Sequence, residues 1–476
     1  DVLIDETLRD PGAVEVGHRD DRRFTVALQT FDAPEVPTGL ELDADSVFVV
    51  TGAAGSIVSA IVADLARATG GTFHLLDLVP EPDPADPDII AFDNDRDSLK
   101  RTIFERLSAD GKKATPVMVD RELSKLERSH EALAGIQAVE AAGGTVHYHA
   151  VNLLDAEAMA QVTDSIAETS GKVDVLLHAG GLEISRLMPD KDPSEYDLVF
   201  DVKADGWFHL VHGLSSVPIH STVAFSSIAG RFGNGGQTDY SAANDLLCKM
   251  TANMKMTKPD TLGFAVDWTA WGDIGMATRG SIPTVMAAAG IDMLPAAAGI
   301  PIVRRELTLD GTTREMLAGG SLGMLAEPFH PTGGIDVDLF ADALAARPLL
   351  GEIRGISLDD GLVVETTLDP AEQPFLDDHR IDGTPVLPGV MGMELFAQAA
   401  SLPFADRQVT AIEGISFDAP LKFYRDEPRT LRLTTQYTPD GDDVVAHCTL
   451  VGERLLANQD VPQRTVHFTA DVRLTT

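Results

Sequence analysis

Apolar runs alternate with amphipathic stretches over the first two thirds of the chain. Residues 46–52 (SVFVVTG) are rich in β-branched side chains and end in glycine, which predicts a buried strand followed by a turn. The next stretch, AAGSIVSAIVADLARATG, is amphipathic and also ends in glycine, as helices commonly do. Further strand patterns follow in TFHLLDL, TVHYHAVNLLD, VDVLLHAGG, STVAFSS and FAVDWTAW, with helical patterns between them. This alternation predicts a doubly wound α/β fold with a parallel sheet.

The segment between the second and third of these strands is too long for an ordinary crossover. It starts with the proline- and acid-rich run VPEPDPADPD, which predicts an exposed loop, and continues with helical patterns at about 96–110 and 121–143. We therefore expect an insertion at about 79–143. Residues 1–45 predict a linker that contains a small strand pair.

The pattern changes past about residue 340. GLVVETTLD, VTAIEGISFDAPLKF, RTLRLTTQYTP, DVVAHCTLVGERLL and TVHFTADVRL alternate apolar and polar positions between turn residues, which predicts antiparallel strands. One helical pattern, at about 390–402, follows a proline–glycine pair. We predict a first domain at 46–328 and a second, α+β domain at 340–476, built as a sheet around one helix.

The composition excludes several functional classes. The 476 residues are 44% hydrophobic and 23% charged, as in globular domains. The net charge of −37 argues against nucleic acid or an anionic membrane as the partner, and no apolar run is long enough to predict a membrane span. Cys248 and Cys448 predict neither a disulfide framework nor a metal site. We expect a cytoplasmic protein, and the opening DVLIDETLRD, without an initiator Met or a signal peptide, suggests a piece of a longer polypeptide.

A glycine turn, TGAAGSIV, joins the first strand to the first helix. Gly52 and Gly55 would let the backbone approach a pyrophosphate, whose charge a helix N-terminus favours. A plain tight turn is the alternative, since many strand–helix turns carry glycine and Val58 replaces the third glycine of the usual dinucleotide pattern.

A second set of chemistry-bearing residues follows. FGNGGQTDYSAANDLL begins as a loop and continues as a helix, so Tyr240 and Asn244 are expected one turn apart on the same face. Ser227 ends a strand thirteen residues earlier, and Lys203 lies on the preceding long helix. The motif HAGG at 178–181 ends another strand and would line the crevice where such sheets bind ligands.

Together these motifs resemble the short-chain dehydrogenase/reductase superfamily over most of residues 46–325, and more narrowly the ketoreductase domain of type I polyketide and polyunsaturated-fatty-acid synthases. The resemblance implies a Rossmann-like fold in which Tyr240 donates a proton to a ketone oxygen and Ser227 hydrogen-bonds that oxygen. Lys203 and the nicotinamide ring would lower the pKa of Tyr240, and Asn244 would hold Lys203 or a water. The alternative is that all four are structural: a core tyrosine, a strand cap, a solvated lysine and a helix-face amide.

The resemblance also implies a nicotinamide cofactor, NADPH in the polyketide relatives. The implied cofactor-binding residues lie at the glycine turn and at the ends of the next strands: Thr51, Gly52, Gly55, Ile57, Asp77, Asn152, Leu153, Ala179, Gly180 and Gly181. Asp77 ends the second strand, where an acid usually holds the ribose hydroxyls and repels a 2′-phosphate, so NADH stays an alternative. The relatives carry arginine nearby, which Arg121 or Arg128 of the insertion could replace. Asn152 stands where relatives often place an aspartate against the adenine.

Residues 267–280 (DWTAWGDIGMATRG) resemble the segment after the sixth strand of these reductases, where the backbone meets the carboxamide and a lid covers the substrate. Alternatively, Trp268 and Trp271 are core aromatics. LEIS follows HAGG and Phe232 replaces a tryptophan, so the fingerprints of alcohol configuration are missing and no configuration is predicted.

The second domain resembles the hot-dog dehydratases through FLDDHRIDGTPVLPGVMGMELFAQAA. His379 would be the base that removes the α-proton of a 3-hydroxyacyl thioester, and the glycines would let a backbone amide polarise the thioester carbonyl. The acid that protonates the leaving hydroxyl has three interpretations. It lies in a second repeat downstream, which we favour; or it is Glu394, acting in a dimer; or the domain is a pseudo-dehydratase.

These motifs predict a ketoreductase–dehydratase fragment of an iterative type I synthase. It would reduce a 3-ketoacyl chain on an acyl carrier protein to the 3-hydroxyacyl form and dehydrate that to the 2-enoyl thioester. The expected partners are the carrier protein and the other synthase domains, and the resemblance implies a homodimer. Two alternatives stay open: a non-catalytic scaffold, and a free-standing short-chain reductase of small molecules.

Overall fold

The computed structural model describes residues 2–10, 13, 15–19, 22–26, 28, 37–109, 114–278, 282–309, 314–326, 334–358, 361–454 and 463–476. The chain folds as two compact units. The first is formed by Phe31–Ala326, and the second by Asp1–Thr30 together with Glu327–Thr476. The first thirty residues group with the second unit, whereas the sequence predicted a linker with a small strand pair over residues 1–45.

The N-terminal segment contains a helix that its pattern did not indicate. This helix, α1 (Val2–Arg9), precedes an antiparallel hairpin of β1 (Gly17–Arg19) and β2 (Arg22–Phe24). Arg23 on the hairpin donates from Nε to Glu6 on the helix at 2.7 Å, so an ion pair joins the two elements.

Seven parallel strands form the sheet of the first unit. They are β3 (Val47–Thr51), β4 (Thr72–Asp77), β5 (Thr145–Ala150), β6 (Val173–His178), β7 (Ile219–Ser227), β8 (Leu262–Trp268) and β9 (Arg314–Ala318). Their spatial order is β5-β4-β3-β6-β7-β8-β9, so the strand order reverses between β3 and β6. The predicted doubly wound α/β class is confirmed. Every residue of β3 is buried, which explains its unbroken apolar run, because a central parallel strand is covered on both faces.

Eleven helices accompany this sheet in the described part of the first unit. They are α2 (Ser56–Thr69), α3 (Pro87–Asn94), α4 (Arg96–Ala109), α5 (Pro116–Ala141), α6 (Ala156–Ser170), α7 (Pro193–Gly213), α8 (Ile228–Phe232), α9 (Thr238–Thr257), α10 (Ile282–Ala288), α11 (Ala296–Gly299) and α12 (Ile302–Leu309). The insertion holds three of them, α3 to α5, where the sequence pattern indicated two. The additional helix α3 begins inside the acid-rich run, with Asp86 accepting a hydrogen bond from the backbone of Asp88 and Pro87 in the first turn.

The second unit is an antiparallel sheet with one central helix. Its six strands are β10 (Glu352–Ser357), β11 (Gly361–Leu368), β14 (Gln408–Phe417), β15 (Arg429–Asp440), β16 (Asp443–Arg454) and β17 (Gln463–Thr475), and a small hairpin is formed by β12 (Arg380–Ile381) and β13 (Thr384–Pro385). The order in the sheet is β10-β11-β15-β16-β17-β14. Two short helices, α13 (Ala341–Ala345) and α14 (Pro374–Asp377), precede the central helix α15 (Gly389–Ser401).

Helix α15 is held against the sheet by a strip of buried side chains. Leu395, Phe396, Ala399 and Ala400 are buried and belong to the same apolar cluster as the inward side chains of the strands. The fold predicted for this part of the chain, a sheet around one helix, is confirmed. No helix in the described ranges has the length and apolar character needed to cross a membrane.

Close packing between α15 and β17 generates a first prediction. A Cβ atom at Gly392 would lie 2.3 Å from Cδ2 of the buried ring of Phe468. Gly392→Ala should therefore force the ring to move and destabilise the second unit by about 1–3 kcal/mol. Scanning calorimetry of the variant checks this.

The matched control is Val390→Ala, on the same helix, because the side chain of Val390 is largely exposed. The three tryptophans of the chain, at positions 207, 268 and 271, all lie in the first unit, so their fluorescence should show that its transition is unchanged. Equal stability of the two variants would contradict the packing argument.

Candidate active site

Tyr240 lies in the first turn of α9, as its position after the glycine-rich loop predicts. Asn244 lies one turn later and donates from Nδ2 to the backbone carbonyl of Tyr240 at 2.7 Å. The Oδ1 atom of Asn244 is buried and has no hydrogen-bond partner within the described ranges. An unpaired buried acceptor is costly, so this oxygen is a place for a donor that the chain itself does not supply.

Ser227 ends β7 and faces the phenol of Tyr240. Its side chain also caps α8, since its Oγ accepts from the backbone N–H of Ala229 at 3.2 Å. Burial raises the pKa of Tyr240, and the nearby polar groups of Ser227 and Asn244 lower it by less, so the net direction is upward. Tyr240 therefore keeps its proton in this state of the protein, which is the form that a proton donor needs.

Lys203 is buried rather than solvated. Lys203 lies on α7 and is only 4% exposed, and its Nζ donates to the backbone carbonyl of Phe225 at 2.8 Å. The ammonium also lies 5.9 Å from the ring centroid of Tyr240, within range of a cation–π contact. Burial lowers the pKa of Lys203 to about 8. The alternative of a solvated lysine is wrong, and Lys203 contacts the Phe225 carbonyl rather than Asn244.

A buried hydrogen-bond chain joins this lysine to the glycine turn. Nε2 of His178 lies 3.0 Å from the backbone carbonyl of Lys203, and Nδ1 lies 2.9 Å from Oγ1 of Thr51. Burial lowers the pKa of His178 to about 3, so the ring is neutral. Because a carbonyl only accepts, Nε2 carries the hydrogen and Nδ1 accepts from the Thr51 hydroxyl. The same Oγ1 accepts from the backbone N–H groups of Ala179 and Gly180 at 3.1 and 3.0 Å.

The glycine turn fits a dinucleotide. Gly52 has a φ of +70°, and a Cβ there would lie 2.8 Å from the carbonyl oxygen of Ala179, so only glycine closes this turn. Gly55 starts α2 without a side-chain cap, and the first turn of α2 has no acidic residue. The first backbone N–H groups of α2 are thus available to an anion such as a pyrophosphate.

The remaining implied cofactor residues surround the same edge of the sheet. Leu153 is buried, and its side chain would touch a Cβ placed at Gly180. Asn152 is exposed, and its Oδ1 accepts from the backbone N–H of Leu154 at 3.1 Å. Gly181 lies against Lys203, since a Cβ there would be 2.8 Å from its Cε. Ile57 is partly buried against the core.

Asp77 is arranged differently from our expectation. Its side chain is 1% exposed, and Oδ2 accepts from the backbone N–H of Ala54 in the glycine turn at 3.0 Å. Its Oδ1 accepts from the N–H of Val79 at 3.1 Å and from Nη2 of Arg128 at 2.7 Å. The carboxylate is thus engaged by the protein itself instead of pointing at a ribose. Arg121, the other candidate of the insertion, is exposed two turns earlier on α5.

Trp268 and Trp271 belong to the core of the first unit. Both are buried, with ring centroids 5.2 Å apart, and Trp268 also packs edge-on against Phe225 at 5.3 Å. The interpretation of these two indoles as core aromatics therefore holds. Residues 279–280 of the expected lid segment lie outside the described residues.

Three residues near the site, His178, Lys191 and Asp239, were not identified as functional from the sequence. His178 stands in the quoted HAGG motif, so the motif itself was the available signal. Lys191 and Asp239 form a buried ion pair, with Nζ 2.6 Å from Oδ2, and Asp239 also accepts from the backbone N–H of Tyr240 at 2.9 Å. Since Lys191 donates to the carbonyl of Ile184 as well, the pair ties the loop after HAGG to the helix of Tyr240.

A group of possible metal ligands also lies close to this site. Cys248, Asp267 and Glu315 bring their ligand atoms within 4.8 Å of one another. Burial raises the pKa of the Cys248 thiol and raises that of Asp267 to about 7.

In the second unit, His379 stands between α14 and the β12–β13 hairpin. Its Nδ1 lies 2.8 Å from the carbonyl oxygen of Val386, so Nδ1 carries the hydrogen and Nε2 keeps its lone pair in the neutral ring. The two-residue turn of the hairpin is Asp382–Gly383, both with positive φ, which is the geometry that this residue pair favours. The imidazole is exposed, and Nε2 is the nitrogen able to act as a base.

Glu394 lies on α15 and is exposed. Its Oε1 accepts from Nε2 of Gln398 at 2.8 Å, one turn later on the helix. Among the described residues, His379 and Glu394 share no hydrogen bond or ion pair. Gly389 at the start of α15 allows a close approach, since a Cβ there would lie 2.8 Å from the ring of Phe417.

Comparison with known families decides what the two units are. Residues 96–273 match the KR domain, and residues 347–447 match the polyketide synthase dehydratase domain. The chain therefore joins a KR domain to a polyketide synthase dehydratase domain. The glycine turn precedes the matched part of the KR domain, so the assignment of that turn depends on its geometry.

Several of the similar curated proteins are fatty acid and polyketide synthases. The chain is 24% identical over 379 residues to one chain of the polyunsaturated fatty acid synthase of a Thraustochytrium species, covering 78% of this chain and 12% of that protein. It is 27% identical over 288 residues to mycoketide-CoA synthase of Mycobacterium tuberculosis, covering 59% of this chain and 6% of that protein. It is also similar to polyketide synthase ThaG of Burkholderia thailandensis, at 27% over 252 residues, or 49% of this chain and 4% of that one. The chain thus spans a small part of each relative.

A solved structure supports the fold of the KR domain. The ketoreductase domain from the bacillaene assembly line superimposes with a TM-score of 0.50 at 19% identity, covering 68% of this chain and 67% of that one. At this identity the likeness concerns the fold alone.

The buried lysine generates a prediction on stability against pH. The pKa of Lys203 falls from about 10.4 when unfolded to about 8 when folded. Between these values the unfolded chain binds the additional proton, so this residue makes folding more favourable as pH rises through that window. The unfolding free energy of wild type minus that of Lys203→Met should therefore increase from pH 8 to pH 10, by at most about 1.4 kcal/mol per pH unit.

Urea unfolding followed by tryptophan fluorescence measures this difference in the KR domain, which contains all three tryptophans. Lys249→Met on α9 is the control, because Lys249 is partly exposed and pairs with Asp245. A difference between wild type and Lys203→Met that stays constant with pH would show that Lys203 is not buried as a titrating group.

Proposed function

We propose that the KR domain reduces a 3-ketoacyl thioester to the 3-hydroxyacyl form with a nicotinamide cofactor. The observation that carries the proposal is the convergence of Tyr240, Ser227 and a buried Lys203 at the carboxyl edge of a sheet that has a glycine turn fit for a pyrophosphate. A bound reduced nicotinamide supplies the hydride. NADPH is the cofactor that we propose.

The protein groups supply the proton and stabilise charge. As hydride reaches the carbonyl carbon, the ketone oxygen gains negative charge and takes the proton of the Tyr240 hydroxyl, while the Ser227 hydroxyl donates a hydrogen bond to the same oxygen. The ammonium of Lys203, 5.9 Å from the Tyr240 ring centroid, stabilises the phenolate that remains. Asn244 offers its unpaired Oδ1 to a water that returns the proton to Tyr240.

We extend the proposal to the setting of the reaction. The relatives named polyunsaturated fatty acid synthase and mycoketide-CoA synthase are far longer than this chain. The substrate would then be carried on an acyl carrier protein, with other synthase domains and a second copy of the chain as partners. A non-catalytic scaffold is the rival function, and a free-standing reductase of small molecules is disfavoured by the dehydratase domain that follows.

For the dehydratase domain we propose that Nε2 of His379 removes the α-proton of the 3-hydroxyacyl thioester. The hydrogen bond from Nδ1 to the Val386 carbonyl orients the ring and leaves Nε2 as the base. Glu394 is the acid candidate within this chain, although Gln398 occupies one of its oxygens. A second repeat elsewhere in a longer synthase is the alternative source of the acid.

The reductase proposal is tested by oxidation of NADPH and NADH with a 3-ketoacyl-pantetheine thioester. Tyr240→Phe should lower the rate by about a hundredfold or more, since a positioned general acid contributes that much. Tyr424→Phe, at an exposed tyrosine of the second unit, is the control and should leave the rate unchanged. Equal and near-zero rates in wild type and Tyr240→Phe, with the fold intact, would favour the scaffold.

Isotope exchange distinguishes the role of the base from the role of the acid in the dehydratase domain. A saturated acyl-pantetheine thioester in D₂O can lose its α-proton but has no hydroxyl to eliminate. His379→Ala should abolish the exchange, whereas Glu394→Gln should leave it intact. Mass spectrometry of the recovered thioester measures the deuterium.

Formation of the 2-enoyl product from the 3-hydroxyacyl thioester then tests the acid. If Glu394 is the acid, Glu394→Gln loses this product while still exchanging the α-proton. If Glu394→Gln makes product at the wild-type rate, the acid lies elsewhere. Exchange that persists in His379→Ala would reject His379 as the base.

A further inference from the structure

The corner between the glycine turn and the inserted helix α5 pairs a buried carboxylate, Asp77, with a half-exposed guanidinium, Arg128. Asp77 ends β4, directly beside the glycine turn, and its buried carboxylate bonds to the turn through Ala54. In a doubly wound sheet the adenosine ribose lies at the end of this strand, next to the pyrophosphate at the glycine turn. The groups around Asp77 would therefore meet the 2′ position of a bound adenosine ribose.

The carboxylate of Asp77 is already engaged by three donors of the protein. Its two oxygens accept from the backbone N–H groups of Ala54 and Val79 and from the guanidinium of Arg128, at 3.0, 3.1 and 2.7 Å. Tyr148 holds the Val79 end of this arrangement, because its hydroxyl donates to the Val79 carbonyl at 2.9 Å. Three donors compensate the negative charge, so both its affinity for ribose hydroxyls and its repulsion of a phosphate are reduced.

Arg128 presents the opposite charge to solvent at the same point. Its side chain is 51% exposed although it is bonded to a carboxylate that is 1% exposed. A guanidinium carries five N–H donors in a planar fork, and the contact with Asp77 is made through Nη2. The buried partner thus fixes one side of the fork and leaves donors for a second anion.

We propose that Arg128, contributed by the insertion, binds the 2′-phosphate of NADPH and selects it over NADH, with Asp77 holding the guanidinium in place. This rests on the proposed function, because it assumes that the glycine turn binds a nicotinamide dinucleotide. It assigns to the insertion a part in cofactor choice, and it changes the meaning of Asp77 from a ribose ligand to a support for an arginine.

The experiment uses binding instead of turnover. Isothermal titration of the whole chain with adenosine 2′,5′-bisphosphate and with 5′-AMP isolates the 2′-phosphate, and the same titrations are made with NADPH and NADH. The variants are Arg128→Ala and Arg121→Ala, the latter a control on the same helix with equal loss of charge. Near-UV circular dichroism verifies the fold of each.

Arg128→Ala should weaken adenosine 2′,5′-bisphosphate and NADPH by about tenfold or more, since a charge-assisted contact to a phosphate is lost. Binding of 5′-AMP and NADH should stay within about twofold, and Arg121→Ala should bind all four ligands as wild type does. Equal weakening of both pairs would mean that Arg128 stacks on the adenine and would overturn the proposal. So would an unchanged Arg128→Ala, or an Arg121→Ala with the same loss.

The proposal and the proposed function fail in distinguishable ways. Wild-type protein that binds NADH more tightly than NADPH, yet reduces the ketoester in a Tyr240-dependent manner, rejects the role of Arg128 alone. Wild-type protein that binds none of the four ligands rejects the cofactor site and the reductase with it.

Discussion

The hydroxyl group of Thr51 connects two parts of the KR site, the glycine turn and the end of the strand that carries the HAGG motif. It accepts from the backbone N–H groups of Ala179 and Gly180 and donates to Nδ1 of His178, which in turn donates to the carbonyl of Lys203. The glycine turn, the HAGG strand end and the lysine helix are thereby fixed to one another through buried bonds. If any member of this chain is removed, a buried polar group is left unpaired, which costs about 1–3 kcal/mol. The position of the Lys203 helix relative to the glycine turn depends on this arrangement.

Burial gives the site its chemical character. A solvated lysine and a solvated tyrosine have pKa values near 10 and differ little in their protonation. Inside the KR domain, burial lowers the pKa of Lys203 to about 8 and raises that of Tyr240. The phenol therefore keeps its proton until charge develops on a substrate, while the lysine is poised to lose or gain one near working pH. A pair of groups moved in opposite directions by one environment is a common basis of acid–base function.

The sequence predicted the parts of the protein that depend on local pattern. Strand β3 and helix α15 follow from the pattern of apolar residues, and the placement of Tyr240 and Asn244 one turn apart follows from helix geometry. The placement of Ser227 beside them was implied by the family resemblance. What it could not predict depends on distant contacts. Asp77 has the local signature of a ribose ligand, but Arg128, 51 positions away, and the backbone of Ala54 determine what its oxygens do. The buried pair of Lys191 and Asp239 likewise joins a loop to a helix 48 positions apart, which no periodicity reports.

Because the chain as a whole is strongly acidic, the positions of its cations indicate where an anion could bind. With a net charge of −37, the mean field repels an anionic dinucleotide, so affinity must come from a few positions where positive potential is concentrated. Helices α3, α4, α6, α7 and α9 each carry an acidic residue in the first turn, which neutralises the positive end of the helix dipole. Helix α2, at the glycine turn, carries none, and Arg128 faces solvent beside it. Helices α5 and α15 also lack a first-turn acid, so the uncompensated end of α2 agrees with an anion site at the glycine turn but does not single it out. In so acidic a protein, the half-exposed guanidinium of Arg128 beside the glycine turn adds to the glycine pattern as an argument for an anion site there.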